Sequence, residues 1–400
     1  METLGGRLAR LRRRQGYTQE GLSEASSVSV GVIRKLERGD RESARLATIH
    51  KLARALGTTT TDLMGTHIPT APVGPVVEPP GLLAIRKALT PVRVGTPNPV
   101  EGTPATADEL GTAVRAGIGW YRSDDYTAAI RVVPELLLDA ETAIGEADDS
   151  DRPALLRARA AALNLTGSLL VHLRHFDLAY EALRQGREAA AAAGDAVADA
   201  ALVDTLCWML IRQNRFDEVE DAATAAADVI EPSFSSAARL HLAQWGWLMI
   251  RASTAAARNT RYDQADEYMR LAGAAAAGIG TDVRFRWQNF GPSMVGMKRV
   301  ENEMIRHRPD KAIMLAERVE NPGPKTNNNR NRFMLDVAAA QLELRRFGAA
   351  STTLGQIRAD APDWLRLQPY AGQIVRDLID RRARALPEEL VDLADFFGLE

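Results

Sequence analysis

Apolar positions in this chain recur mostly at helical intervals. Leu4, Leu8 and Leu11 share one face, with Arg7, Arg10, Arg12, Arg13 and Arg14 between them. Gly16 ends that period, and Thr18 stands where an N-cap belongs, before a short helix through Gln19, Leu22 and Ala25. Ser26-Ser27-Val28 reads as a turn and Ser29 as the next N-cap. The helix after Ser29 carries Ile33 and Leu36 inward and stops at Gly39, since glycine accepts the left-handed C-cap conformation. Leu46, Ile49, Leu52, Ala53 and Leu56 define a further helix, closed by Gly57, and Thr60 or Thr61 caps a last turn that buries Leu63. Five short helices, with a tight turn between the second and third, predict a helix-turn-helix over residues 1–65.

The rhythm changes at residues 66–105, where nine prolines predict an extended connector. One island, residues 81–89, puts Leu82, Ile85 and Leu89 on a single helical face; it either docks on a neighbouring domain or is a linker turn. Residues 106–400 lack strand signals but repeat internally. An aromatic residue or proline follows a charged or histidine residue, and a small residue comes three places later. The key positions are Tyr126, Phe176, Phe216, Tyr262, Pro309 and Phe347, followed by Ala129, Ala179, Val219, Ala265, Ala312 and Ala350. Each key lies between two stretches long enough for helices. This predicts stacked helical hairpins, because one hairpin cannot bury its own apolar face. Residues 363–400 read as a capping helix pair. The fold class is therefore all-α: a five-helix head, a proline-rich linker and a helical solenoid.

Charge sharpens the division. The net charge is −2, yet residues 1–65 carry +5 and the rest −7. A basic head on an acidic body directs the head toward a polyanion. Cys207 is the only cysteine, which excludes an internal disulfide and a cysteine-based zinc site. The opening residues lack the apolar core of an export signal, and no long uninterrupted apolar run is present, so a cytoplasmic protein without membrane contact is expected. There is no phosphate-binding glycine loop, H-E-x-x-H or G-x-S-x-G. The expectation is a protein that is not an enzyme and needs no cofactor. His172 and His175 lie three apart but lack an evident carboxylate or cysteine partner.

Leu11-Arg12, Gly16-Tyr17-Thr18-Gln19, Leu22, Ser29, Ile33, Leu36-Glu37-Arg38-Gly39 and residues 52–57 together resemble the Cro/C1-type (XRE) helix-turn-helix. The resemblance implies that the third helix enters the major groove of double-stranded DNA. It places Val30, Gly31, Arg34 and Lys35 at base-reading positions and Gln19 and Ser29 at phosphate positions. Gly31 has no side chain with which to read, so Arg34 and Lys35 carry most of the implied specificity. Arg38, Arg41 and Arg45 are further phosphate candidates. Arg12 and Glu37 resemble a pair that bridges the first and third helices.

The body resembles the tetratricopeptide repeat with longer helices. The whole plan looks like a group of actinobacterial regulators, marked here by Trp120-Tyr121, Phe176-Asp177-Leu178-Ala179, Phe290-Gly291-Pro292 and Ala361-Pro362. It is also similar in plan to the peptide-pheromone receptors of Gram-positive bacteria. That resemblance implies a homodimer on a near-palindromic operator, with repeats that sense an oligopeptide or small molecule, as in quorum sensing. Candidate ligand residues are Gln244 and Arg251 on one first helix, and Asn327, Arg330 and Asn331 at the start of a later one. Asparagines can donate to and accept from a peptide backbone, and arginine can take a carboxylate. Trp287 and Asn289 lie where the helical rhythm breaks, in a segment that either lines a pocket or is a shaped connector. The alternative is a protein-interaction scaffold in which the repeats bind a partner protein and the head only targets DNA.

Overall fold

The N-terminal apolar periods fold as α1 (Leu4–Arg14), α2 (Gln19–Ser26), α3 (Val30–Arg38) and α4 (Leu46–Ala55). The structure, a computed structural model, describes residues 4–40, 44, 46–56, 58, 60, 63, 81–92, 103–233, 237–285, 288–320, 328–381 and 387–399. The helix stops follow local chemistry. Gly16 and Gly39 adopt φ of 74° and 80°, and Thr18 Oγ1 accepts the Gly21 N–H at 2.9 Å. Ser29 differs from expectation. It sits at the N-cap of α3 without a side-chain cap bond, and its carbonyl instead accepts the N–H groups of Val32 and Ile33. Leu8, Leu22, Ile33, Leu36, Leu52, Leu56 and Leu63 are buried together. Helix α1 crosses α3 so closely that a Cβ on Gly5 would lie 2.0 Å from the Leu36 carbonyl oxygen. Within the fifth predicted turn, Thr60 and Leu63 are described.

The chain divides into two compact units, Met1–Val77 and Glu78–Glu400. The second begins with the island helix, α5 (Leu82–Leu89), whose Leu82, Ile85 and Leu89 are buried in the body's apolar core. Hairpins follow: α6–α7 (Ala107–Arg122, Tyr126–Glu146), α8–α9 (Arg152–His172, Phe176–Ala192) and α10–α11 (Ala196–Arg212, Phe216–Val229). The series continues with α12–α13 (Arg239–Arg258, Tyr262–Ile279), α14–α15 (Pro292–Ile305, Pro309–Ala316) and α16–α17 (Asn328–Glu343, Phe347–Asp360). Helices α18 (Pro362–Arg366), α19 (Pro369–Asp380) and α20 (Glu388–Phe397) close the stack.

Every hairpin turn is built the same way. Two residues before each key position stands a non-glycine residue in the left-handed region: Asp124, Arg174, Asn214, Thr260, His307 and Arg345. The next N–H reaches back to a carbonyl five residues earlier, as Asp125 does to Trp120 and Arg215 to Leu210. That bond satisfies a carbonyl at the end of the first helix and reverses the chain. The small residue three places after each key is fully buried in all six, which lets the paired helices approach.

The first helices stack in order: α6 on α8, α8 on α10, α10 on α12, α12 on α14 and α14 on α16. Helix α8 is long and apolar enough to cross a membrane by composition alone, but 72% of that window is buried inside the body. Such burial makes it a core helix of the stack.

A short antiparallel pair, β1 (Val283–Phe285) and β2 (Gln288–Phe290), links the fourth and fifth hairpins and is the described exception to an all-α fold. Phe290 fills a notch beside Gly246, where a Cβ would meet its ring at 2.0 Å. Asn289 holds the same seam, its carbonyl accepting Trp247 Nε1–H at 3.2 Å.

Candidate nucleic-acid interface and polar interior

One buried network fixes the head and orients the rest of it. Arg12 Nε and Nη2 donate to the two carboxylate oxygens of Glu37 at 2.7 and 2.9 Å. Both side chains are largely buried, at 11% and 7% exposure. Arg12 also donates to the Tyr17 carbonyl, and Gln19 Nε2 donates to Glu37 Oε2 at 2.7 Å. Burial pushes the Glu37 carboxyl up, but the hydrogen bonds from Arg12 and Gln19 reverse this and hold it below its ordinary value. This network ties α1, α2 and the end of α3 into one frame.

On that frame α3 turns Ile33 and Leu36 inward and leaves Gly31, Arg34, Lys35 and Arg38 exposed. Positions 31, 34, 35 and 38 share one helical face, preceded by exposed Ser29 and half-buried Val30. A Cβ on Gly31 would meet nothing within 4 Å, so the face is open there. Arg34 is already engaged. Its Nη2 donates to Glu20 Oε1 at 2.5 Å and its Nε to Gln19 Oε1 at 3.3 Å. Glu20 was not among the expected site residues, yet it faces the side chain expected to read bases. Arg41 and Arg45 lie outside the described residues.

In the body, the described ligand candidates lie on α12, at the start of α16 and in β2. Gln244 is buried on α12 and donates to the Ala200 carbonyl at 3.3 Å. Arg251, two turns on, donates to Asp204 Oδ1 at 2.6 Å and lies 5.0 Å over the Trp247 ring. Arg330 pairs with Asp360 at 3.5 Å. Asn331 is fully buried, and its Nδ2 has no hydrogen-bond partner. Asn289 is built into the β2 seam, with its Oδ1 buried and unpartnered. Trp287 and Asn327 lie outside the described residues.

A second cluster was not anticipated. Tyr121 ends α6, Tyr126 opens α7, His172 ends α8, and Trp208 and Arg212 lie on the last turns of α10. Tyr126 stacks on His172 with ring centroids 4.3 Å apart, and Tyr121 meets both edge-on. Trp208 lies 6.5 Å from His172, and the Arg212 guanidinium sits 5.0 Å over the Trp208 ring. Burial, then the charge of Arg212, lowers the His172 pKa to about 3. Asp124 accepts from the Tyr126 hydroxyl at 2.6 Å, and burial raises its carboxyl to about 6 against that bond. Four residues before the first four key positions stand Arg122, His172, Arg212 and Arg258. That register was the signal available in the sequence.

Comparison with known proteins bears mainly on the head. A family profile described as Helix-turn-helix matches residues 8–63. No curated protein matches the chain. Among solved structures, ComR from S. thermophilus, in complex with DNA and its signalling peptide ComS, matches at 11% identity. The match covers 90% of this chain and 99% of that one, with a TM-score of 0.28, which fixes no correspondence between their residues. The profile match and the helix order, turn and exposed third helix agree: the N-terminal unit is an XRE-type helix-turn-helix domain, carried at the head of a helical-repeat chain.

Proposed function

We propose that this chain is a transcription regulator that reads double-stranded DNA through α3 and senses a small signal through its repeat body. The observation that carries the first half is the exposed face of Arg34, Lys35 and Arg38 on a helix-turn-helix frame locked by Arg12 and Glu37. Basic side chains on a groove-entering helix supply both phosphate attraction and bidentate contacts to guanine. Two copies of the chain bind a near-palindromic site, with half-sites about one helical turn apart. A ligand in the body shifts the balance between arrangements of the two heads, provided it binds one more tightly. The chain binds rather than turns over its signal.

The polar interior favours a small ligand over a whole partner protein. Its arginines, aromatics and unpartnered amides face inward at the stack, where the first and sixth hairpins come within hydrogen-bonding distance. The test is selection of binding sites from random duplex DNA with the full chain, followed by anisotropy on the enriched sequence. The double variant Arg34→Ala with Lys35→Ala is expected to lose sequence preference while keeping its fold. Retention of full preference by that variant would overturn the assignment of α3.

A further inference from the structure

We propose that Arg212, walled by Trp208, His172, Tyr121 and Tyr126, is a carboxylate-binding subsite for a ligand that carries a flat apolar group beside its acid. The inference rests on the reading of the repeat body as a sensor and names the chemistry that the sensor takes.

Charge balance sets Arg212 apart. Three other arginines of the first helices each hold a carboxylate of the protein. Arg251 has Asp204 at 2.6 Å, Arg258 has Glu301 at 3.6 Å, and Arg332 has Asp336 at 3.3 Å. Arg212 has no ion pair and no hydrogen bond among the described residues; its contact is the face of Trp208. Nearby charge makes this worse. Arg332 and Arg174 both act on it as like charges, and burial comes first among the causes that lower its pKa to about 10. A guanidinium offers five donors in a fixed fork. Leaving that fork unmatched in a partly desolvated, positive site is costly unless a ligand anion completes it.

A second set of observations points the same way. His172 is 4% exposed and its Nε2 has no hydrogen-bond partner. Asn328 donates through Nδ2 to Tyr126, but its buried Oδ1 is unpartnered. Buried polar atoms are rarely left so. Arg212 and Trp208 are half-buried, so each keeps some surface in solvent. Asp124, the carboxylate that touches the tyrosines among the described residues, is taken by the Tyr126 hydroxyl. The site thus presents a cation over an aromatic face, ring walls, and unmatched polar atoms on His172 and Asn328. A carboxylate beside a flat or branched apolar group fits the cation and the ring walls and can accept from a His172 Nε2–H, while the Asn328 oxygen, an acceptor, calls for an N–H donor on the same ligand. Such a carboxylate occurs at the C-terminus of an oligopeptide ending in an apolar residue and in a free aromatic acid.

Isothermal titration of the full chain with four probes separates the possibilities: benzoate, benzamide, N-acetyl-phenylalanine and its amide. Both acids are expected to bind at least about tenfold more tightly than their amides, the loss expected for a charge-assisted pair. Arg212→Gln removes that difference, and Arg212→Lys restores part of it, with thermal unfolding confirming that both variants fold. Acids and amides binding alike, or Arg212→Gln binding the acids as the parent does, would overturn the subsite. Tighter binding of N-acetyl-phenylalanine than benzoate assigns the peptide terminus; the reverse order assigns the free acid. DNA binding, measured separately with and without the acid, keeps the two readings distinct. Intact DNA binding with no acid preference sinks only the subsite. Acid binding that leaves DNA affinity unchanged sinks only the sensor.

Discussion

Asn328 Nδ2 lies 3.5 Å from the Tyr126 hydroxyl, although the two residues are 202 positions apart. Tyr126 in turn donates a hydrogen bond to Asp124 at 2.6 Å, so a hydrogen-bond relay of three side chains joins the first hairpin to the sixth. The stack therefore curves far enough within five steps to bring its ends together. Tyr126→Phe leaves the Asp124 carboxylate without its donor in a partly buried place. It is expected to cost about 1–2 kcal/mol. Asn328→Ala removes only a long bond and is expected to cost less than about 1 kcal/mol. Urea unfolding of the two variants checks the order, and a larger loss for Asn328→Ala would contradict the relay.

His172 gives the body a defined acid response. Its folded pKa of about 3 lies below the ordinary 6.5, so between those values the unfolded chain takes up a proton that the folded chain refuses. The contribution is fully present above pH 6.5 and is lost as pH falls toward 3, by at most about 1.4 kcal/mol per unit. His172→Gln removes this slope. The stability gap between parent and variant should change by up to about 2 kcal/mol between pH 7.5 and pH 5. Asp124, raised to about 6, has the opposite sign but is present in both proteins and cancels. Denaturant curves across that range measure the gap, and a constant gap would exclude a neutral buried imidazole.

In the head, the Arg12–Glu37 pair is structural. Glu37→Ala strands a largely buried guanidinium and is expected to cost about 3 kcal/mol. Glu37 sits below its ordinary value of 4.5, so its contribution is complete above that pH and fades as pH falls below it. Hydrogen exchange of α1 and α3 amides in the full chain reports the loss locally. Unchanged protection in Glu37→Ala would show that the apolar core alone holds the frame.

Glu20 is expected to restrain Arg34. Glu20→Ala frees the guanidinium and removes a negative charge beside the DNA-facing helix. Non-specific affinity for duplex DNA should rise about three- to tenfold at low salt. The gain should vanish when Arg34→Ala is added. Anisotropy titrations of the two single variants and the double variant close the cycle; a gain that survives without Arg34 would mean Glu20 acts only through net charge.

The head was legible because each of its stops is local. Gly16, Thr18 and Gly39 set turns with their own chemistry, and the Arg12–Glu37 spacing followed the family pattern. The hairpins were legible because six small residues had to be buried at a fixed place after each turn, and all six are. The interior was not. Periodicity tells which stripe of a helix faces inward but not which stripes meet across the superhelix. Tyr121, His172, Trp208 and Arg212 come from three separate first helices, and their meeting depends on curvature accumulated over the stack. The short β-pair escaped for another reason: three-residue strands have too few positions to show alternation.

Helix α5 carries a practical consequence for anyone dividing the molecule. Its Leu82, Ile85 and Leu89 complete the apolar core of the body, and Gln185 of the second hairpin donates to the Leu89 carbonyl at 2.7 Å. A fragment cut at residue 106 would strip the lid from its first repeat and expose a sticky, aggregation-prone end. One that starts at Glu78 carries its own stopper.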